Sequence, residues 1–367
     1  MKNICFFGCD FQMGGASVVA VNLANELCKK YNVFFVAASD NDDTLYGKNS
    51  IDPSIRYYNF DIPNDRILKM RQNIMKRMKK FVLENDIDVV YAIGYYAAFY
   101  IAPIFWKRRK CKFVYCEHGA PRNQLSDKKG TLMRRISVRA YDMTVALTNQ
   151  SERDFVELIG ASPKKVTTIY NWIDETTIET QRPYDIASKK LLTVGRISEE
   201  KGFDMLSEIA RDVFLQCPDW EWHIMGDGPM REDFEKRIAE YGIEKNIVMH
   251  GAVSDALKYY GDYSVMALTS YREGLPLVLL EAKAKKLPCV SFDVITGPSE
   301  IVRDGVNGYL IPMYDKEMFS QRLVTLMKDD ALRQRFSDES SLDIDKFKKQ
   351  RILTEWIELT ERLTEKK

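Results

Sequence analysis

The chain has 367 residues, 45% of them hydrophobic and 29% charged, with a formal net charge of +1. That length exceeds a single core and that balance is globular, so disordered, fibrous and disulfide-scaffold classes are excluded and two α/β domains are expected. Seven cysteines stand singly without a Cys-x-x-Cys pair, and there are three histidines, His118, His223 and His250, a set that predicts reduced thiols in a cytosol and argues against zinc.

The N-terminus meets Asp10 too soon for a signal peptide, so the protein is expected to stay inside the cell. An apolar strand over residues 4–8 leads to Gly14-Gly15 and then to a helix whose predicted stripe is Val19, Leu23 and Leu27, flanked by Ala16 and Ala20, with Asn22 and Glu26 facing away. Further strands are predicted at 33–38, 89–93, 113–117, 143–148 and 166–170. Residues 89–106 run 18 positions without a charge, which reaches the length of a membrane span. Gly94 and Pro103 interrupt them, and a buried strand turning into a helix is the better reading.

The rhythm repeats with strands at 190–194, 220–225, 247–250, 264–268 and 288–292, and helices near 203–215, 230–241, 256–260 and 276–285. Alternating β and α units predict parallel sheets covered by helices. The polar stretch 171–189, with Pro183, reads as the linker. The expected domains are therefore 1–180 and 181–346, followed by a charged amphipathic helix, 347–367, able to pack back on the first domain. Residues 1–180 carry 26 Lys and Arg against 20 Asp and Glu, and residues 66–139 carry 18 against 5. Such a patch suits an anionic surface.

Chemistry concentrates in the second half. Glu273-Gly274-Leu275-Pro276-Leu277-Val278 follows a strand and opens a helix that carries Glu281, which puts free backbone amides at a sheet's carboxyl edge, where phosphates bind. Taken alone, the two glutamates also suit a capped helix with solvated carboxylates. Arg196 and Lys201, in the loop 195–202, are spaced to hold a diphosphate, Arg as a planar fork and Lys as a point charge. A solvated basic loop would look the same in isolation. Gly226 and Gly228, in Met225-Gly226-Asp227-Gly228-Pro229, permit backbone approach to a ligand and equally suit a tight turn.

Together with Thr296-Gly297-Pro298-Ser299-Glu300, Asp304-Gly305-Val306-Asn307-Gly308 and Asn171-Trp172-Ile173-Asp174, these runs resemble the family 4 retaining glycosyltransferases of the GT-B fold (glycosyl transferases group 1) over nearly the whole chain. The resemblance implies an α/β protein of two Rossmann-like, doubly wound domains facing each other across a cleft. It implies a retaining hexosyl- or N-acetylhexosaminyl-transfer from a nucleoside-diphosphate sugar, UDP-sugar favoured. Arg196 and Lys201 would bind the diphosphate, Leu277 and Val278 would offer amides to phosphate, Glu273 would hold the transferred sugar and Glu281 the ribose. Gly15 would admit the diphosphate, and His118, in Glu117-His118-Gly119, would face the donor sugar. The chain departs from the family where many members have Gly-Gly in place of Thr296-Gly297, and Pro-Asn-Gly-Val-Asp in place of Tyr170-Asn171-Trp172-Ile173-Asp174.

No cofactor or metal is then required, although carboxylates alone are able to hold magnesium. The implied acceptor is a glycan or lipid-linked glycan of bacterial surface polysaccharide assembly. The stripe 66–81, with Trp106-Lys107-Arg108-Arg109-Lys110 and Lys128-Lys129, suggests peripheral association with the inner face of the cell membrane. A nucleic-acid partner would explain the basic patch and leave the second domain unexplained. The rival functions are a non-catalytic sugar-nucleotide-binding protein, a GT-B-fold epimerase and a phosphorylase.

Overall fold

A computed structural model describes residues 1–11, 14–39, 50–103, 106, 109–173, 175–179 and 183–365. Lys107, Arg108 and Asp174, singled out in the sequence, lie outside the described residues. The chain divides into two compact units, Met1–Asn171 with Gln350–Lys367, and Trp172–Lys349.

The first unit holds seven parallel strands, β1 Asn3–Gly8, β2 Asn32–Ala37, β3 Arg56–Asn59, β4 Val89–Ile93, β5 Lys112–Cys116, β6 Met143–Ala146 and β7 Val166–Thr168. Their order is β3-β2-β1-β4-β5-β6-β7. Ile4, Cys5, Phe6 and Phe7 are all fully buried, as expected of a parallel strand covered on both faces. Strand β3 was not foreseen: Arg56-Tyr57-Tyr58-Asn59 alternates in exposure and pairs only with β2, so it carries no apolar run.

Helix α1, Gly15–Leu27, buries Ala20, Leu23, Ala24 and Leu27, the i, i+3, i+4, i+7 face of an α-helix. Val19 sits beside that face and is only half-buried, which corrects the predicted stripe. Helix α2, Ile67–Glu84, docks through Ile74, Met78, Phe81 and Val82. The uncharged stretch resolves into β4 and the short helix α3, Gly94–Tyr100, and no helix among the described residues is long and apolar enough to cross a membrane. Helices α4, Lys128–Ala140, and α5, Asn149–Asp154, complete this half.

The second unit has six parallel strands, β8 Lys190–Val194, β9 Glu221–Met225, β10 Ile247–Gly251, β11 Val265–Leu268, β12 Cys289–Phe292 and β13 Gly308–Ile311, in the order β10-β9-β8-β11-β12-β13. Their helices are α6 Glu175–Glu179, α7 Phe203–Phe214, α8 Arg231–Glu240, α9 Leu277–Ala284, α10 Pro298–Ile301, α11 Lys316–Lys328 and α12 Asp330–Asp338. The predicted helix at 256–260 is a 3-10 segment, Ala256–Asp262. Trp222 is fully buried in the core, its indole N–H donating to Thr193 Oγ1 at 3.0 Å.

The expected linker is tied into this unit. Ile173 N–H donates to the Phe347 carbonyl at 2.7 Å, Lys285 Nζ to the Thr177 carbonyl at 3.0 Å, and the Tyr184 hydroxyl to the Ser264 carbonyl at 2.8 Å. These bonds are why the first unit stops at Asn171 and not at 180. The terminal helix α13, Lys349–Thr364, buries Ile352, Trp356 and Leu359. From Gln350 onward it belongs to the first unit, with Trp356 edge-on to Tyr91 at 5.6 Å and the Thr360 and Tyr91 hydroxyls 2.5 Å apart.

Candidate functional site

In an open parallel sheet, ligands bind beyond the carboxyl ends of the strands where the strand order reverses. In the second unit that point lies between β8 and β11. The loops leaving these strands are 195–202 and 269–276, and their backbones are locked together. Gly202 has φ +66°, and a Cβ there would meet the Thr269 carbonyl oxygen at 2.1 Å. Thr269 Oγ1 donates to the Lys201 carbonyl at 3.0 Å, Tyr271 N–H to the Glu200 carbonyl at 2.9 Å, and the Tyr271 hydroxyl to Asp204 Oδ2 at 2.6 Å.

This closure places Lys201 Nζ 2.7 Å from Glu273 Oε1, with side chains 25% and 9% exposed. Arg196, on the same loop as Lys201, is exposed. Helix α9 begins at Leu277, four residues past Glu273. The first amides of a helix have no intrahelical acceptor, so Leu277 and Val278 stand at the positive end of the helix dipole. One turn on, Glu281 accepts the Tyr260 hydroxyl at 2.7 Å through Oε2. Burial pushes the Glu281 carboxyl above its ordinary range against the lowering effect of that bond.

Two glycine motifs have packing reasons. A Cβ on Gly226 would meet the Gly195 carbonyl oxygen at 1.8 Å, and one on Gly228 the Ile197 carbonyl oxygen at 2.3 Å. The turn after β9 thus presses on the 195–202 loop, and this contact is by itself enough to demand glycine at both positions. In the 304–308 motif, Asp304 Oδ1 accepts Leu310 N–H at 3.0 Å and Asn307 Oδ1 accepts Arg303 N–H at 2.8 Å. These bonds shape the turn into the edge strand β13.

In the first unit the strand order reverses between β1 and β4. A Cβ on Gly15, at the start of α1, would meet no atom of the described residues beyond its own helix and chain neighbours within 4 Å, in contrast to Gly226. His118 follows β5 and is half-buried; burial pushes its imidazole down to about 4, so it is neutral at pH 7. Beneath it, Glu117 accepts Gly119 N–H at 3.0 Å through Oε1, and Arg134 Nε at 2.8 Å and the Tyr115 hydroxyl through Oε2. Burial raises the Glu117 carboxyl, yet Arg134, Tyr115 and Gly119 together outweigh it and hold the group below its usual range.

Among the described residues no three His, Cys, Asp or Glu side chains are grouped to hold a metal ion. His223 and His250 pair on β9 and β10, Nδ1 to Nε2, at 2.9 Å. Sequence reading did not single out Tyr260, Tyr271 or Arg134, and it noted Thr296 as part of a family-like run and as a departure from it, with no partner assigned. Thr296 donates to the Glu273 carbonyl at 2.6 Å. None of these partners has a local spacing signal, because each contact closes across the fold.

Comparison with known proteins gives the family. Residues 13–177 match the model described as Glycosyltransferase Family 4, and residues 175–342 match Glycosyl transferases group 1. The chain is 27% identical over 329 residues to the amylovoran biosynthesis glycosyltransferase AmsD of Erwinia amylovora, covering 86% of this chain and 89% of that protein. It is 24% identical over 363 residues to the GalNAc-alpha-(1->4)-GalNAc-alpha-(1->3)-diNAcBac-PP-undecaprenol alpha-1,4-N-acetyl-D-galactosaminyltransferase of Campylobacter jejuni, covering 98% of each. Among solved structures, HepE of Anabaena in complex with UDP aligns with a TM-score of 0.81 at 19% identity, covering 99% of this chain and 100% of that one. With the two family models spanning residues 13–342 between them and each unit built on a doubly wound parallel sheet, the chain belongs to the group 1 glycosyltransferases and has their two-domain GT-B fold.

Proposed function

We propose that this protein is a retaining hexosyl- or N-acetylhexosaminyl-transferase that moves a sugar from a UDP-sugar to a hydroxyl of a glycan or lipid-linked glycan in bacterial surface polysaccharide assembly. The observation that carries the reading is the Lys201–Glu273 pair at the β8/β11 reversal. Two relatives named for surface or undecaprenol-linked glycans support the acceptor class. The UDP bound to HepE supports the base.

As the bond to the sugar breaks, negative charge grows on the β-phosphate. The Arg196 guanidinium, the Lys201 ammonium and the Leu277 and Val278 amides are donors aimed at such charge, and preorganised donors of this kind are worth roughly 3 to 4 kcal/mol each. Because that charge is met by fixed cations and amides, no metal is needed. Glu273 positions the sugar without becoming a covalent nucleophile, and the incoming hydroxyl attacks from the face the leaving group departs and gives its proton to the departing β-phosphate oxygen, which retains configuration. Glu281, with Oε2 held by Tyr260, turns its other oxygen to the ribose. His118 and Gly15 keep the roles the family resemblance gives them: a neutral hydrogen-bonding group for a sugar hydroxyl, and an open backbone for phosphate.

Isothermal titration with UDP, GDP and ADP, with and without EDTA, tests the donor site. Micromolar UDP binding, indifferent to EDTA and weakened at least about tenfold in Lys201→Ala, is expected. Absence of binding to any of the three would overturn it.

The same reading seats the first unit on an anionic membrane. On α2, Lys69, Lys76, Lys79 and Lys80 are exposed between Leu68 and Leu83, which are 69% and 62% exposed. Not every cation is available: Arg71 donates to the Phe99 and Ala102 carbonyls and Arg77 to the Phe60 carbonyl, and Lys69 and Lys80 pair with Asp65 and Glu84. Cofloating with anionic vesicles at low salt is expected and should weaken with added salt. Equal recovery with neutral vesicles would refute the electrostatic part.

A further inference from the structure

The loop after β12 bears directly on Glu273. Thr296 is 1% exposed, and its hydroxyl donates to the Glu273 carbonyl at 2.6 Å. Beside it, Gly297 has φ +100°, and a Cβ there would meet the Gly274 carbonyl oxygen at 2.6 Å and Pro276 Cδ at 2.7 Å. The 296–297 backbone therefore lies directly on the 273–276 turn.

We infer that Thr296 is a positioning residue for donor-sugar recognition, holding the main chain of Glu273 so that its carboxylate is presented in one orientation. The inference rests on the donor-site reading above. Its physical basis is peptide planarity: fixing the Glu273 carbonyl also fixes the direction of the Gly274 N–H on the opposite side of the same plane. The Glu273 carboxylate is then tied at two points, through its backbone by Thr296 and through Oε1 by Lys201 at 2.7 Å. Glu273 Oε2 carries no bond to a described residue and is the atom left for a sugar hydroxyl. Without the threonine hydroxyl, the part-buried carbonyl loses this partner and the peptide plane is held less firmly.

The test compares affinities for UDP with those for UDP-glucose, UDP-galactose and UDP-N-acetylglucosamine. The ratio of the UDP to the UDP-sugar dissociation constant isolates what the sugar contributes. For the sugar the wild type prefers, Thr296→Val should lower that ratio about tenfold, while UDP alone binds within about twofold of wild type. Thr296→Ser should keep the ratio within about threefold of wild type. If the valine variant fails to bind UDP, Thr296→Ala against Thr296→Ser makes the same comparison, because the pair differs by the hydroxyl alone. A ratio unchanged by loss of the hydroxyl overturns the inference and leaves the donor site standing. Failure of the wild type to bind UDP removes the donor-site reading and this inference with it.

Discussion

Beneath His118, the Glu117 and Arg134 side chains are 3% and 1% exposed, whereas those of Lys201 and Glu273 at the β8/β11 reversal are 25% and 9% exposed. The first pair is nearly saturated: the Glu117 oxygens take Arg134, Tyr115 and Gly119, and the Arg134 guanidinium also lies 4.1 Å over the Tyr95 ring. The second pair keeps capacity, since Lys201 Nζ and Glu273 Oε1 bond to each other and Glu273 Oε2 is left over among the described residues. The difference separates scaffold from site. A buried pair whose carboxylate oxygens are both taken fixes a loop and leaves a neutral imidazole as the group it presents, while a partly exposed pair retains bonding capacity for a charged ligand.

The comparison breaks first if the buried pair is dispensable. Removing one partner of a buried ion pair leaves the other uncompensated, at a cost of about 3 to 5 kcal/mol. Arg134→Ala should lose stability of that size in urea denaturation, and a loss under about 1 kcal/mol would mean that Glu117 finds water or another donor. Lys201→Ala should do the converse. Its denaturation midpoint should move little, because a solvent-reached pair contributes about 1 kcal/mol or less, while sugar transfer falls about 10²- to 10³-fold. A large stability loss in Lys201→Ala would place that pair with the scaffold.

Much of this was legible in sequence, for reasons that can be named. Strands such as β1 and β4 are covered on both faces, so they appear as apolar runs, and the loops after β8 and β11 carry the site's charges. Strand β13 escaped notice because it is an edge strand, and its first residue, Gly308, also closes the 304–308 motif. Gly226 and Gly228 show the ambiguity of glycine: sequence marks a place without room for a side chain, and only packing says whether a ligand or a neighbouring carbonyl fills it. The partners of the site residues were illegible for a different reason. Arg134 lies 17 residues from Glu117, Tyr260 lies 21 from Glu281, and Thr296 lies 23 from Glu273. Those separations follow from strand order, and no helical or strand periodicity encodes them.

The smallest effect comes from a third charge cluster, on α13, which extends the comparison to an exposed case. Glu361, its side chain 37% exposed, pairs with Lys2, accepts the Tyr31 hydroxyl at 2.7 Å and lies 3.5 Å from Lys30. The bond from Lys2, then that from Tyr31, lowers its carboxyl from the usual 4.5 to about 2. A carboxyl lowered on folding contributes stability that is complete above the unfolded value and lost as pH falls through the folded one. The contribution should therefore be present at pH 7 and fade between about pH 4.5 and 2. Solvent screening keeps it to about 1 kcal/mol or less. Denaturation midpoints of wild type and Glu361→Gln should differ slightly at pH 7 and converge as pH falls through that window. A difference that persists undiminished at pH 2.5 would assign the effect to packing of α13 against the first sheet, and exposure would then fail to rank the three clusters.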